Sequence, residues 1–213
     1  MAGASGRPPR GPAAPPSRVP FVGLTGGLGA GKSTALAALE RLGAVTLSTD
    51  AVVHDLYASD EVRDAVVARW GPEVAPEGVV DRRAVAARAF ADPAERAWLE
   101  GLLWPRVGER VAAWREEVER MRPRPRVAVV ETPLLFEAGL ESRYDATIAV
   151  VADEALRAER AAARGHAAVD ERTARQLTQE EKASRATYVV RNDGTPEDLE
   201  RELSAVLDRL LSG

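Results

Sequence analysis

The sequence predicts an α/β fold in which helices flank a five-stranded parallel sheet. Short apolar, β-branched runs alternate with segments of helical periodicity, which is the pattern of parallel strands joined by crossover helices. A glycine-rich loop joins the first run to the first helix, and a long, charged helical stretch separates the second run from the third. The 213 residues, of which 45% are hydrophobic, suffice for one core with small appendages.

The first half of the chain predicts two strands and a helical insertion. An apolar run at residues 20–24 predicts the first strand, and apolar positions at helical spacing predict a helix over residues 33–42. Residues 45–47 predict a second buried strand. From residue 51 to residue 121 the pattern is helical and charged, without a strand. Its breaks fall at Gly71-Pro72, at residues 76–78 and at Pro93.

The second half predicts three more strands and three helices. The β-branched runs are typical of strands that are covered on both faces, and they lie at residues 127–130, 147–151 and 188–190. Helical patterns, the first opening with Asp153 as a cap and the last with proline in its first turn, cover residues 153–164, 170–185 and 196–211.

Composition and charge exclude several classes of protein. A net charge of -4 argues against a protein that coats nucleic acid or an anionic membrane. No apolar run approaches the ~20 residues that span a bilayer, and the N-terminus lacks the apolar stretch of a signal peptide, so a cytoplasmic protein is expected. Without cysteine the chain has no disulfides, thiol nucleophiles or cysteine-bound zinc.

Residues 26–33 match the phosphate-loop pattern G-x-x-x-x-G-K-[ST], placed between a predicted strand and a predicted helix. In such a loop the backbone amides surround phosphate oxygens, Lys32 reaches the β- and γ-phosphates, and Ser33 ligates Mg²⁺. The alternative is a turn that only links strand to helix. The motif predicts binding of ATP and Mg²⁺ by Gly27, Gly29, Ala30, Gly31, Lys32, Ser33 and Thr34, the last at the α-phosphate.

The predicted topology gathers further polar residues near this loop. Asp50 follows the second predicted strand and Glu131 follows the third. Because the carboxyl ends of parallel strands share one edge, these side chains should lie near Lys32 and Ser33. The chain lacks the Asn-Lys-x-Asp motif for guanine and is short for a motor protein, so a P-loop kinase that acts on a small molecule is the leading class.

Several segments resemble the dephospho-CoA kinase family, in order and across nearly all of residues 21–210. Besides the phosphate loop, the similar segments are Leu-Ser-Thr-Asp-Ala-Val-Val-His at 47–54, Gly-Val-Val-Asp-Arg at 78–82, Leu-Leu-Trp-Pro-Arg-Val at 102–107 and Glu-Thr-Pro-Leu-Leu-Phe-Glu at 131–137. The resemblance implies transfer of the γ-phosphate of ATP to the ribose 3′-hydroxyl of dephospho-CoA. Ser48 stands where the family has a first acid, His54 where it has arginine, and Trp104 where it has histidine.

The resemblance also implies roles for individual residues. Asp50 matches the catalytic carboxylate, Arg164 is the leading lid arginine for the transferring phosphate, and Lys32 completes the catalytic set. Asn192 and Gly194 match a loop on the adenine side of ATP. The implied acceptor contacts are Asp50, His54, Asp81, Arg82, Pro105, Leu134 and Glu137, and the implied metal ligands are Ser33 and, through water, Glu131.

Each of these roles has a plain structural alternative. Asp50 could cap a helix, and Glu131 could satisfy backbone groups at its strand end. The lid arginines, which include Arg157 and Arg160, could form surface ion pairs, and Asn192 could belong to an ordinary turn. Trp98, Trp104 and Trp114 are expected to be packing residues and not stacking platforms for a base.

The predicted organisation separates four functional parts. Residues 1–18 are a disordered leader, because they are dominated by Gly, Ala, Pro and Arg. Residues 19–50, 122–152 and 187–213 form the nucleotide-binding core, residues 51–121 a helical substrate subdomain, and residues 153–186 a lid. The expected partner is a small-molecule acceptor, with no nucleic acid or membrane, for a monomer or weak homo-oligomer. The rival functions are another small-molecule kinase and a non-catalytic ATP-binding protein.

Overall fold

A computed structural model of the chain describes residues 18–163 and 176–212. Its centre is a five-stranded sheet of order β2-β3-β1-β4-β5, with parallel pairing between all neighbours, as the sequence predicts. The strands are β1 (Phe21–Gly26), β2 (Ala44–Ser48), β3 (Val127–Glu131), β4 (Ala146–Val151) and β5 (Tyr188–Arg191).

Eight α-helices occupy the described part of the chain. They are α1 (Lys32–Arg41), α2 (Thr49–Tyr57), α3 (Asp60–Trp70), α4 (Arg82–Ala91), α5 (Pro93–Arg120), α6 (Glu154–Ala163), α7 (Gln179–Arg185) and α8 (Pro196–Ser212). Short 3₁₀ helices lie at Pro72–Val74, Pro76–Gly78 and Glu141–Arg143.

The two faces of the sheet are covered by different helices. On one face, Val22 and Leu24 of β1 pack in a buried cluster with residues of α1 and α8. On the other face, Phe21 packs with Val130 and with Trp114 of α5. Because successive side chains of a strand point to opposite faces, a strand covered on both sides must be apolar throughout. This explains the continuous apolar runs of the sequence.

The region between β2 and β3 is helical and has its own hydrophobic cluster. Val62 and Val66 of α3 pack there with Val85 of α4 and Leu103 of α5. The predicted absence of a strand in residues 51–121 is confirmed. The predicted break at Pro93 is also confirmed, because this proline begins α5 behind Asp92, whose Oδ1 accepts a hydrogen bond from the Ala94 amide at 2.7 Å.

The prediction of one helix over residues 170–185 is wrong at its start. α7 begins at Gln179, and residues 176–178 are not helical. Thr178 accepts a hydrogen bond from the Glu181 amide, while the Glu181 carboxylate accepts one from the Thr178 amide. This capping box fixes the helix start. Residues 170–175 lie outside the described residues, as do the predicted break at Gly165 and residues 1–17 of the predicted leader.

Candidate active site

The phosphate loop connects β1 to α1 in a conformation that depends on glycine. Gly29 and Gly31 have φ angles of +75° and +92°, which residues other than glycine rarely adopt. Gly31 is the residue before α1, so the loop amides and the helix N-terminus face the same space. Lys32 lies back along the loop, with Nζ 3.0 Å from the carbonyl oxygen of Gly26 and 3.4 Å from that of Gly27. Ser33 is exposed and Thr34 is half-buried.

Two side chains from distant segments support the outside of this loop. The buried Asn192, just after β5, donates a hydrogen bond to the Ala30 carbonyl at 2.9 Å. Arg157 of α6 donates from Nε to the Leu28 carbonyl at 3.0 Å, and it also pairs with Glu154 at 2.7 Å. The structure therefore gives Asn192 and Arg157 supporting contacts that the sequence does not reveal.

Arg160 belongs to the same supporting layer. Its Nη1 donates to the backbone carbonyl of Asn192 at 3.0 Å, which ties α6 to the chain after β5. Arg164 lies outside the described residues, so its predicted role stays a prediction. Gly194 is followed by a helix cap, in which Asp198 accepts a hydrogen bond from the Thr195 amide at 3.0 Å. This cap agrees with the turn alternative for this segment.

A short chain of polar contacts crosses the carboxyl edge of the sheet. Ser48 ends β2 directly beside Glu131, which ends β3. The Ser48 hydroxyl donates to Oε2 of Glu131 at 2.6 Å, and Oε1 of Glu131 lies 4.0 Å from Nζ of Lys32. Glu131 is buried, and its two oxygens thus face two different partners. The predicted meeting of Glu131 and Lys32 at this edge is confirmed.

Asp50 lies in the first turn of α2, two residues beyond the end of β2. Its side chain is exposed, as is that of His54, one turn later. Residues four apart on a helix lie on the same face, so α2 presents a carboxylate and an imidazole side by side. Ser48 is the residue before the helix and makes no side-chain cap, and its hydroxyl donates to Glu131.

The loop after β3, residues 132–140, is packed tightly against β1. Leu135 is fully buried over Gly23 of β1, where a Cβ atom would overlap the leucine side chain. In the same loop, Leu134, Glu137 and Ala138 line a small cavity together with Trp104 of α5. Trp104 is 49% exposed, so the expectation of a packing residue is wrong for Trp104, whereas Trp98 and Trp114 pack against hydrophobic clusters. The neighbouring apolar residues of α5, among them Leu102 and Leu103, pack in the helical cluster instead.

Glu137 is joined to a buried lysine that sequence reasoning missed. The ammonium of Lys182 in α7 lies 2.9 Å from Oε1 of Glu137, and burial lowers its pKa, although the hydrogen bond to Glu137 opposes that effect. The other carboxylate oxygen, Oε2, is buried and has no hydrogen-bond partner among the described residues. The signal that could have identified Lys182 is compositional, since the chain has only two lysines.

Three predicted acceptor contacts lie in the helical region. Asp81 precedes α4, and its Oδ1 accepts hydrogen bonds from the amides of Arg83 at 2.9 Å and Ala84 at 3.4 Å. Arg82 is the exposed first residue of α4, and Pro105 is exposed within α5. Their contact with an acceptor stays a prediction.

The donor set fits a metal that is held mainly through a bound nucleotide. Mg²⁺ prefers oxygen ligands and commonly takes one or two from the protein and the rest from phosphates and water. The Ser33 hydroxyl and the Glu131 carboxylate are oxygen donors at the correct edge of the sheet. Residues 18–163 and 176–212 contain no cluster of three or more His, Cys, Asp or Glu side chains suited to a metal without a nucleotide. Over the same residues, no helix has the length and apolar character needed to cross a membrane.

Comparison with known proteins identifies the family. Residues 20–198 match the family model described as dephospho-CoA kinase. The chain is 41% identical over 197 residues to dephospho-CoA kinase of Anaeromyxobacter dehalogenans, covering 90% of each chain. The crystal structure of TT1252 from Thermus thermophilus matches with a TM-score of 0.74 and 37% identity, over 91% of this chain and 99% of that one.

A second solved structure extends the agreement in fold. Dephospho-CoA kinase from Campylobacter jejuni matches with a TM-score of 0.66 and 20% identity, over 91% of this chain and 98% of that one. The family model covers most of the chain, and the relatives match along nearly their full length. The chain therefore belongs to the dephospho-CoA kinase family.

Proposed function

We propose that the chain transfers the γ-phosphoryl group of ATP to the ribose 3′-hydroxyl of dephospho-CoA, giving CoA and ADP. The observation that carries this proposal is the meeting of three features at one edge of the sheet. The phosphate loop follows β1, Asp50 follows β2, and Glu131 ends β3. Membership of the dephospho-CoA kinase family supplies the acceptor.

The loop residues bind the triphosphate. Backbone amides of residues 27–31 and the N-terminus of α1 provide donors and partial positive charge for the phosphate oxygens. Lys32, whose ammonium group lies beside the loop carbonyls of Gly26 and Gly27, would bind the β- and γ-phosphates, and Thr34 would contact the α-phosphate. Asn192 contributes by holding the Ala30 carbonyl away from the phosphates. Its predicted place on the adenine side of ATP stays a prediction beside this supporting contact.

Mg²⁺ would be held by the Ser33 hydroxyl and, through water, by Glu131. When bound, it neutralises charge on the β- and γ-phosphates. Glu131 is suited to this task because Ser48 restrains one of its oxygens, which leaves the other directed toward the loop.

Asp50 acts as the general base. Its carboxylate accepts the proton of the 3′-hydroxyl while that oxygen forms a bond to the γ-phosphorus. The bond from the γ-phosphorus to the bridging β-oxygen breaks, and ADP leaves with the electron pair. Lys32 neutralises the charge that develops on the phosphoryl oxygens, and Arg164 is proposed to do the same from outside the described residues.

The acceptor lies between α2, α5 and the loop after β3. His54 shares the exposed face of Asp50, while Leu134 and Glu137 line the cavity beside Trp104. Asp81, Arg82 and Pro105 are proposed to contact the more distant part of the same molecule, Asp81 through the oxygen that does not cap α4.

A product assay tests the proposal. The protein is incubated with MgATP and, in separate reactions, with dephospho-CoA, a nucleoside monophosphate or shikimate. The products are separated and identified by mass spectrometry. We expect one added phosphoryl group on dephospho-CoA, with one ADP formed for each CoA. A phosphorylated monophosphate or shikimate without CoA would favour the rival kinase. ATP binding without any phosphorylated acceptor would favour a non-catalytic protein.

A further inference from the structure

The ammonium group of Lys182 is buried with three acceptors around it. Its side chain is 1% exposed, and Nζ lies 2.9 Å from Oε1 of Glu137, 2.6 Å from the Pro133 carbonyl and 3.3 Å from Oγ1 of Thr25. A lysine ammonium has three N–H donors and no acceptor, so this arrangement can satisfy all of them. The site is therefore built for a charged lysine.

These acceptors belong to two segments that must be aligned for phosphoryl transfer. Thr25 precedes Gly26, where the phosphate loop begins, whereas Pro133 and Glu137 belong to the loop after β3. Thr25 and Pro133 are also joined directly, from Oγ1 to the carbonyl at 3.2 Å. Lys182 thus connects the base of the nucleotide site to the loop that lines the acceptor cavity.

Glu137 adds a third segment to this connection. Its Oε1 accepts a hydrogen bond from the Leu177 amide at 2.7 Å, at the approach to α7. The same oxygen therefore binds the ammonium group and the backbone just before the helix that carries it. A shift of Lys182 would move the Glu137 side chain relative to the cavity that this side chain lines.

The residue type at position 182 is unusual for this chain. The sequence contains 27 arginines and two lysines, and the other lysine is Lys32 of the phosphate loop. Arginine presents its donors in a planar fork, whereas the compact ammonium can direct three donors to acceptors around one point. A buried ion pair can often be replaced as a whole by apolar residues without loss of stability, whereas loss of one partner leaves the other charge unpaired.

We propose that Lys182 is a positioning residue for phosphoryl transfer, which fixes the acceptor-facing loop after β3 against the strand that leads into the phosphate loop. The inference rests on the proposed function, which assigns that loop to the acceptor. Lys182 itself touches neither substrate. Its effect should appear in turnover and in the use of dephospho-CoA, and not in ATP affinity.

Kinetics of Lys182→Met and Lys182→Arg test the inference. Leu203→Ala serves as the matched control, because Leu203 is fully buried in the cluster on the opposite face of the sheet and has no assigned role in binding or catalysis. All variants are assayed below the onset of thermal unfolding, with ATP affinity measured separately. For Lys182→Met we expect kcat/KM for dephospho-CoA to fall about 10- to 100-fold, since a displacement near 1 Å can cost that much, with ATP affinity within about twofold of the wild type. Lys182→Arg should restore only part of the loss.

Either of two results would overturn the inference. One is a Lys182→Met enzyme whose kcat/KM equals that of the Leu203→Ala control. The other is a loss confined to ATP affinity. If the wild type forms no CoA at all, the proposed function fails, which is a distinct outcome from an active wild type that tolerates the substitution.

A second measurement covers the case in which Lys182→Met does not fold. Selective ¹³C labelling of lysine in the wild type gives signals from two side chains, and substitution of Lys32 assigns them. We expect dephospho-CoA without nucleotide to shift the Lys182 signal, because its partners Glu137 and Pro133 belong to the acceptor-facing loop. An unchanged Lys182 signal at saturating dephospho-CoA would contradict the inference.

Discussion

The side chain of Asn192 holds the backbone of Ala30, 162 positions earlier in the chain, through a hydrogen bond of 2.9 Å from Nδ2 to the carbonyl oxygen. Asn192 is itself fixed at both ends of its backbone. Its amide donates to the Val151 carbonyl at 2.9 Å, and its carbonyl accepts from Arg160 at 3.0 Å. The segment after β5, held by β4 and α6, therefore supports the phosphate loop.

Asn192→Ala should weaken ATP binding. A buried carbonyl that loses its partner costs about 1–3 kcal/mol, and part of this cost will appear as a looser loop, so we expect ATP affinity to fall about tenfold. Nucleotide titration by calorimetry measures the change. Glu197→Gln, an exposed substitution in the first turn of α8, is the control and should leave the affinity unchanged. Equal affinities for all three proteins would contradict a supporting role for Asn192.

Two glycine substitutions should affect different properties, one of them ATP binding and the other the free energy of unfolding. Gly31→Ala forces a side chain onto a φ of +92° and into the amide nitrogen of Asn192, so we expect loss of ATP binding. Gly101→Ala lies within α5 with open space around it, and should raise the free energy of unfolding by about 0.5–1 kcal/mol because alanine favours the helix. Urea unfolding and ATP titration of both variants test this contrast. ATP binding by Gly31→Ala would show that the loop tolerates a Cβ there.

Local patterns predicted the sheet, the phosphate loop and the edge that carries Glu131, because each depends on residues close in sequence or on strand polarity. The side chains that support this edge do so through contacts between residues far apart in the sequence. Lys182 meets Thr25 across 157 positions, and Arg157 meets Leu28 across 129. No periodicity encodes such pairs. The exposure of Trp104 is not predictable for a related reason, since it depends on which face α5 turns toward the helical cluster.

Asp50→Asn should abolish most turnover while ATP still binds. The amide keeps nearly the size of the carboxylate but cannot accept the hydroxyl proton, and loss of a general base typically costs ~100- to 10,000-fold. We expect kcat for CoA formation to fall within that range. Asp55→Asn, on the same helix and also exposed, is the matched control and should retain wild-type turnover. Turnover by Asp50→Asn within a few fold of the wild type would show that another group accepts the proton.

Ser48→Ala should reduce catalysis through Glu131. The hydroxyl restrains Oε2 of Glu131 at 2.6 Å, and a hydrogen bond to a charged group contributes about 1.5–3 kcal/mol, so the freed carboxylate should turn toward Lys32. We expect kcat/KM for ATP to fall about tenfold or more, and the Mg²⁺ concentration required for half-maximal rate to rise. Ser48→Thr, which keeps the hydroxyl, should recover most of the activity. An unchanged Mg²⁺ requirement in Ser48→Ala would show that Glu131 does not help to hold the metal.

Tyr144 should make the fold sensitive to alkali. Its ring stacks on Phe21 with centroids 5.3 Å apart, its hydroxyl lies 3.2 Å from Oγ1 of Thr132, and burial raises its pKa above the ordinary value of 10.0. Well below pH 10.0 the phenol is protonated in the folded and the unfolded chain, and its contribution to stability is complete. As the pH rises further, the unfolded chain loses the proton first, so the free energy of unfolding must fall until the folded-state pKa is passed.

Tyr144→Phe isolates this effect because it keeps the stacked ring and removes the titrating group. Urea unfolding between pH 8 and pH 11 should show a steeper loss of stability in the wild type than in the variant, with the two curves converging as the pH rises. Near neutral pH the variant should be the less stable protein, since Thr132 loses its partner at the start of the loop after β3. Parallel curves over the whole range would mean that the phenol ionises as readily in the folded protein as in the unfolded chain, and that its burial does not protect the proton.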